Sequence, residues 1–223
     1  MFLGHYAVGL ASKRFAPRTP LVMLLTAALL PDILGQFFGP LGWEHASIQP
    51  GNTRFTPLNL YDYPWSHSLL MTIVWGTALA LIWNFKTRDL IASCVIWLAA
   101  VSHWFLDWLT HGPDLPLYPG APARYGLGLW NSIPGTLAVE ITMFCIGVWL
   151  YVHVTRPKDW IGKYMFGGYL VLLLLIYVAI PFTPPPPTID QMGHASIALL
   201  AILLACAAWV DNHRVWAVSP GLS

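Results

Sequence analysis

Six apolar stretches, each about 20 residues long, constrain this chain more than any other feature of its sequence. A helix that crosses the hydrocarbon core of a bilayer needs roughly 20 mostly apolar residues. Only 9% of the residues are charged and 57% are hydrophobic, whereas a soluble domain has roughly 25% charged residues. We therefore predict an all-α, polytopic membrane helix bundle that forms a single integral membrane domain over residues 1–223. The predicted spans are 20–38, 66–85, 89–110, 134–154, 162–182 and 193–211.

A seventh apolar stretch, residues 2–12, is too short to cross a bilayer. The basic residues Lys13, Arg14 and Arg18 follow this stretch, whereas in a secretory signal peptide the positive charges precede the apolar core. We therefore predict a retained N-terminal half-helix that is re-entrant or lies along the inner surface of the membrane.

The distribution of lysine and arginine predicts the orientation of the bundle. With six spans, nine of the eleven basic residues fall on one side, and only Arg54 and Arg124 fall on the other. The positive-inside rule places the larger group in the cytoplasm. Both termini are then cytoplasmic, and the long loops at 39–65 and 111–133 lie outside. Because long loops often form binding surfaces, we expect any site to open outward.

The net charge and the cysteine positions argue against a nucleic-acid partner and against cysteine-based cross-links or metal sites. A net charge of +1 gives no electrostatic reason to expect a nucleic acid. The three cysteines lie inside apolar runs without CxxC spacing, so neither disulfides nor zinc-thiolate sites are expected. Membrane lipids are the partners that this composition predicts.

The third apolar run ends in a polar helix face between Val101 and Asp114. His103, Asp107 and His111 are four residues apart there, and helical geometry stacks them on one face. Ionisable groups inside a span usually face the bundle interior, pair with each other or bind something. An imidazole and a carboxylate one turn apart suit a divalent metal. A His–Asp pair that only ties two helices together is the alternative, and the residues alone leave it open.

Other ionisable residues fall at a similar depth on other spans. Counted from the cytoplasmic end at a helical rise of roughly 1.5 Å per residue, Asp32, His103 and Glu140 lie about 21 to 24 Å up. Asp107 and His67 lie nearer the outer boundary, at about 27 to 29 Å by the same rise. These depths predict that acidic and imidazole groups from four helices converge just below the outer face.

Two residues of the N-terminal region bear on this convergence. His5 reaches only roughly 12 Å if residues 2–12 turn back into the membrane, so its place in the group depends on that turn. Pro31 precedes Asp32, and a proline inside a helix opens it and frees a backbone carbonyl at this level.

Several of these residues have an alternative role. His67 starts a span, where the helix N-terminus keeps an imidazole neutral, as a metal requires, but an interfacial histidine is equally consistent. Ser68 suits a helix cap, or a hydrogen bond behind a metal ligand, better than a nucleophile. Glu140 is a ligand, a base for a metal-bound water, or a hydrogen-bond partner of a neighbouring helix. We assign His111, Asp114 and His194 to the outer interface and leave them out of the site.

Four short motifs, in order, resemble a known family. They are Gly4–Gly9 (GHYAVG), Leu30–Asp32 (LPD), Ser66–Ser68 (SHS) and Ser102–Thr110 (SHWFLDWLT). Together they resemble the predicted metal-dependent hydrolases of the bacterial inner membrane, also described as LexA-binding, inner-membrane-associated hydrolases. The motifs lie in the first part of the chain, about residues 1–140. The resemblance implies that the metal and catalytic residues are His5, Asp32, His67, His103 and Asp107.

The chain departs from this family pattern at two places. Similar sequences often show Pro-Asp-x-Asp, whereas Leu34 replaces the second acid here. They also often show His-Arg-Gly-x-x-His-Ser, whereas residues 61–65 supply neither that histidine nor that arginine. We therefore expect one metal ion rather than two.

The resulting hypothesis is a multi-pass inner-membrane enzyme with one divalent metal, expected to be zinc. His67, His103 and Asp32 would hold the ion, with Asp107 as a further ligand or directly behind it. A metal-activated water would attack an ester or a phosphoester, and Asp107 or Glu140 would take its proton. A site near the outer face favours a lipid or lipid-linked substrate. The alternatives are an ion or small-solute transporter with a proton relay, and a non-catalytic scaffold.

Overall fold

The computed structural model describes residues 1–217, and the last six residues of the predicted domain, 218–223, lie outside this described part. Short antiparallel strand pairs accompany a bundle of helices. In chain order the elements are α1 (Leu3–Ser12), α2 (Leu21–Ala28), α3 (Leu30–Phe38), β1 (His45–Ile48), β2 (Leu58–Asp62), α4 (Pro64–His67), α5 (Leu69–Thr87), α6 (Leu90–Thr110), β3 (Leu115–Pro116), β4 (Arg124–Tyr125), α7 (Ile133–Val154), β5 (Thr155–Pro157), α8 (Phe166–Ala179), α9 (Ile189–Asn212) and β6 (Arg214–Trp216).

Five helical segments of the described chain are long and apolar enough to cross a membrane. They are Leu69–Thr87, Leu90–Thr110, Ile133–Val154, Ile161–Phe182 and Ile189–Asn212. The segment Ile161–Phe182 begins with one π-helical turn, continues as α8 and ends in a short 3-10 turn. The predicted spans agree with these segments to within a few residues, so the all-α polytopic class is confirmed.

The first predicted span, residues 20–38, is broken rather than continuous. Helices α2 and α3 meet at an angle of 62°, with Leu29 between them. Pro31 lies in the first turn of α3, where its missing N–H and its ring prevent α2 from continuing. The prediction that Pro31 opens the helix is confirmed, and the count reaches six spans only if this bent pair is one of them.

Helix α1 is buried inside the bundle. Leu3, Tyr6 and Leu10 are at most 1% exposed, and they belong to the main apolar core. A Cβ atom at Gly147 of α7 would lie 2.5 Å from the carbonyl oxygen of Ala7. Only glycine permits this close approach of the two backbones. The predicted half-helix therefore exists, and it packs deep against α7 instead of lying on a surface.

Side-chain caps fix where the long helices begin. A hydroxyl or carboxylate that accepts a backbone N–H three residues later satisfies one of the unpaired donors at a helix N-terminus. The prediction that Ser68 is a cap is confirmed, because its hydroxyl accepts from the N–H of Met71. The corresponding caps of α6, α7 and α9 are Asp89, Ser132 and Thr188.

The two long loops contain structure that the sequence analysis did not predict. The loop at 39–65 forms the antiparallel pair β1–β2, followed by the short helix α4. The loop at 111–133 contains the short pair β3–β4. A third pair, β5–β6, joins the end of α7 to the segment after α9. These pairs are too short for an alternating hydrophobic pattern to identify them.

Candidate metal centre

The bend between α2 and α3 brings Asp32 beside α4 and α6. Its Oδ1 atom lies 3.4 Å from His67 Nε2 and 3.8 Å from His103 Nε2. The three potential ligand atoms all lie within 4.8 Å of one another. With metal–ligand distances near 2.1 Å, neighbouring ligands of a tetrahedral zinc are about 3.4 Å apart. The spacing therefore fits three protein ligands around one small divalent cation.

Asp107 connects this group to further histidines. Its Oδ2 atom lies 3.0 Å from His103 Nε2 and 3.9 Å from His67 Nε2. Its Oδ1 atom lies 3.1 Å from His5 Nε2. His5, His103 and Asp107 form a second group whose ligand atoms lie within 4.8 Å of one another. The structure thus brings together all five residues predicted to bind metal.

The hydrogen bonds of His103 determine which ring nitrogen faces the carboxylates. His103 Nδ1 lies 2.8 Å from the carbonyl oxygen of Ala28. A carbonyl only accepts, so Nδ1 carries the proton, and the neutral ring has its lone pair on Nε2. Ala28 is the last residue of α2, so the carbonyl that orients His103 lies at the bend in the chain.

The environment of the His103 Nε2 atom tests whether a metal fits this site. It is fully buried and has no hydrogen-bond partner within residues 1–217, although Asp107 Oδ2 is 3.0 Å away. A cation bound to this nitrogen would satisfy it and would also balance the negative charge of the nearby carboxylates. The donor set of two imidazoles and two carboxylates suits zinc.

A relay of hydrogen bonds orients His67 in the same way. Ser66 Oγ donates to Glu44 Oε2 at 2.7 Å, so it accepts from His67 Nδ1–H at 2.6 Å. The Nε2 atom of His67, 3.4 Å from Asp32 Oδ1, then keeps its lone pair. Such outer partners fix the tautomer and ring orientation of metal-binding histidines. Sequence reasoning missed Glu44, because its role depends on a contact across 22 residues and no local pattern marks it.

Glu140 contacts the start of α1 rather than the cluster histidines. Its Oε2 atom accepts from the N–H groups of Phe2 at 2.9 Å and Gly4 at 3.2 Å. A carboxylate is stabilised at a helix N-terminus by these unpaired donors and by the helix dipole. This bond to a neighbouring helix is one of the roles expected for Glu140. Its predicted role as a base stays a prediction.

Helix α1, whose N-terminus is bound by Glu140, places His5 in the cluster. The His5 ring stacks on the His103 ring with a centroid distance of 3.7 Å and an interplanar angle of 2°. The backbone nitrogen of Met1 also contacts Asp107 Oδ1. His5 therefore lies within the group despite the shallow depth estimated from the sequence, because α1 is buried inside the bundle.

His111 lies in the cluster, whereas we expected it at the outer interface. Its side chain is 2% exposed, and its Nε2 atom lies 3.6 Å from Asp107 Oδ1. Tyr63 donates its hydroxyl to Asp114 Oδ1 at 2.6 Å and lies 3.2 Å from His111 Nδ1. Burial raises the pKa of the Tyr63 phenol well above its ordinary value, so the phenol stays a donor. The i, i+4 spacing of Asp107 and His111 was the signal for this contact.

The centre has one accessible edge. The side chains of His103 and Asp107 are at most 1% exposed, whereas that of Asp32 is 39% exposed. The group is therefore most accessible from the side of α3. That this side faces outward across the membrane stays a prediction.

The fold and this cluster define a class of protein: a multi-pass α-helical membrane protein with a buried His–Asp group able to hold a divalent cation. The chain belongs to the YdjM inner membrane protein family, whose family model matches residues 1–184. This result confirms the family resemblance and the prediction of a multi-pass inner-membrane protein. The matched range contains every predicted site residue. Comparison with curated proteins and with solved structures gives no match.

Proposed function

We propose that this protein is a metal-dependent hydrolase of the inner membrane. The observation that carries the proposal is the buried Nε2 atom of His103, which lies 3.8 Å from Asp32 Oδ1 and 3.0 Å from Asp107 Oδ2 and has no hydrogen-bond partner within the described chain. Ionisable groups at such a depth are costly to bury, so they usually serve a function. A bound cation would offset that cost.

Three residues hold the ion in this proposal. His67 and His103 contribute Nε2, and Asp32 contributes Oδ1. Three protein ligands with an open fourth position are typical of catalytic zinc, whereas structural zinc sites have four. When bound, the cation lowers the pKa of a coordinated water towards neutrality and polarises the oxygen of an ester.

Asp107 is the proton acceptor in this proposal. Its Oδ2 atom lies beside both ligand histidines, 3.0 Å from His103 Nε2, which suits a group that takes the proton of the attacking water. His5 and His111 contact the other oxygen and hold the carboxylate in place. Glu140 acts as a positioning residue, because it fixes the helix that carries His5.

The substrate class follows from the exposed edge at Asp32. This edge lies where the broken span α2–α3 leads into the loop with β1–β2, near the expected membrane boundary. An ester or phosphoester of a membrane lipid, or a lipid-linked intermediate, reaches such an edge without leaving the bilayer. We propose this class of substrate over a soluble metabolite.

The test is metal analysis combined with hydrolysis assays on protein purified in detergent without chelators. We expect about one zinc per chain, together with hydrolysis of p-nitrophenyl esters or phosphodiesters in mixed micelles. The variant His103→Ala should lose both. The variant Asp107→Asn should keep the metal and lose hydrolysis by roughly 100-fold or more, as expected for a lost general base.

The matched control is His194→Ala, which removes an exposed histidine of α9 and should change neither readout. A wild-type protein without metal overturns the proposal. Retained metal without hydrolysis of any ester or phosphoester, together with ion flux in liposomes, favours a transporter instead.

A further inference from the structure

A second polar region lies at the other end of the bundle. Glu140 and Tyr151, which contact the two regions, both lie on helix α7, and at the helical rise of 1.5 Å per residue they are about 16 Å apart along its axis. A cavity of about 210 Å³ opens there, where the end of α9 and the strand β6 meet the turn after α1. Four basic side chains line it: Lys13, Arg18, Lys158 and Arg214.

One acidic residue balances part of this charge. Asp211 is bound by Lys13 Nζ at 2.9 Å and by the N–H of Leu21 at 2.9 Å. Its second oxygen accepts from the Tyr151 hydroxyl at 2.5 Å. Asp211 is thus fully engaged with the scaffold. The remaining lining charge is positive, and no other carboxylate lines the cavity among the described residues.

The basic side chains keep N–H donors for a ligand. Arg214 donates to Thr155 and to the carbonyl of Gly162, which engages only part of its five-donor guanidinium. Lys158 donates to the carbonyl of Asn212. Arg18 is exposed and makes no side-chain hydrogen bond or ion pair within residues 1–217. Their unused donors surround a space that an anionic group could enter.

The scaffold holds Arg214 in a fixed position. Its guanidinium carbon lies 4.6 Å from the centroid of Phe166 and 5.4 Å from that of Tyr151. A Cβ atom at Gly162 would lie 2.0 Å from the carbonyl oxygen of His213, so the π-helical turn before α8 packs directly against the chain that carries Arg214. Burial lowers the pKa of Arg214, and a neighbouring anion would counter that effect.

The rim of the cavity is apolar on one side. Val215 and Trp216 line it and are 45% and 42% exposed. Tryptophan is enriched at membrane–water interfaces, and basic pockets on the cytoplasmic side of membrane proteins bind phosphorylated head groups. The combination of basic floor and apolar rim suits a lipid whose phosphate enters the cavity while its chains stay in the bilayer.

We propose that this cavity binds an anionic phosphate group, supplied by the head group of a membrane lipid. The site is independent of the metal centre and of the proposed hydrolysis. Arg18 and Lys158 contact the phosphate from the exposed side. Arg214 contributes its remaining donors from the buried side.

Native mass spectrometry of the detergent-purified protein tests this proposal by measuring the binding of phosphatidylglycerol, phosphatidylcholine and phosphate-free diacylglycerol. We expect a preference for phosphatidylglycerol. The double variant Arg18→Gln, Lys158→Gln changes only exposed side chains, so it should fold normally. We expect it to weaken that binding by roughly 25-fold, because each basic residue near an anionic head group contributes about a factor of five.

The matched control is Arg14→Gln with Lys86→Gln, which removes one arginine and one lysine that are exposed and do not line the cavity. It should bind phosphatidylglycerol like the wild type. Glycerol phosphate is added as a competitor: failure to displace the lipid supports the head group as ligand, and displacement with saturation supports a soluble phosphate at the same site. Equal weakening in both double variants, or no preference for phosphatidylglycerol in the wild type, overturns the proposal.

Discussion

The candidate metal centre and the region around Asp211 are both buried polar groups in an apolar bundle, yet they differ in how their polar atoms are satisfied. Both oxygens of Asp211 accept hydrogen bonds from the protein. At the candidate metal centre, His103 Nε2 and His5 Nδ1 have no hydrogen-bond partner within residues 1–217, and neither has Oε1 of the adjoining Glu140. Buried polar atoms that are all paired within the protein need no ligand. Buried polar atoms without a partner call for an explanation, and a bound ligand supplies one.

The difference follows from the kinds of residue at each place. Lys13 supplies a positive charge to Asp211 directly. No lysine or arginine side chain of the described chain contacts Asp32 or Asp107, whose neighbours are histidines and, for Asp107, the nitrogen of Met1. Both oxygens of Asp211 are thus paired within the protein, and the proposed ligand would bind in the cavity beside this residue.

The largest effect on stability is expected at the closed network. Asp211→Asn leaves the ammonium of Lys13 buried without its counter-charge, and breaking such a pair costs about 3 to 5 kcal/mol. Thermal unfolding in detergent measures the loss. The matched change Asp190→Asn, at an exposed aspartate of the same helix, should have little effect.

Adding a chelator tests whether the two regions contribute to stability independently. Removal of metal should lower the melting temperature of the wild type, because a bound ligand stabilises the native state. The decrease in melting temperature caused by Asp211→Asn should be the same with and without chelator. If this decrease disappears when metal is removed, the two regions are coupled, which would contradict their independence.

A smaller effect is expected at the hydrogen-bond relay behind His67. Ser66→Ala removes the link between His67 Nδ1 and Glu44, and loss of such an outer partner lowers metal affinity by about 10-fold to 100-fold. Titration calorimetry with zinc measures the affinity. The control is Ser102→Ala, also next to a ligand histidine, whose hydroxyl bonds only the carbonyl of Ala99. Equal affinities in the two variants would exclude the relay.

The smallest effect is expected at the exposed pair of Asp159 and His213, whose nearest atoms are 2.7 Å apart. The N–H of Gly162 is the main cause that lowers the pKa of Asp159 in the folded state, with His213 contributing. The resulting stability is present above the pKa of the unfolded chain and is lost as pH falls through the folded pKa. Asp159→Asn should therefore lower Tm by no more than about 2 °C near neutral pH, and the difference should vanish in acid.

Much of the candidate centre could be predicted from the sequence because its motifs are local. His103 and Asp107 are one helical turn apart, and Pro31 marks the bend that turns Asp32 inward. The placement of His5 could not be derived from depth, because counting residues assumes a straight path and α1 is buried against α7. Gly147 permits that packing, and nothing in the sequence pairs it with Ala7.

The sequence by itself determined the membrane class, the spans and the residue types suited to a cation. These follow from hydropathy over about 20 residues and from the spacing of side chains on one helix. Only the tertiary structure decided that Glu44 orients His67, that His111 contacts Asp107, and that Arg18, Lys158 and Arg214 surround one cavity. Each of these depends on contacts between segments far apart in the chain, and such contacts are set by how the helices pack.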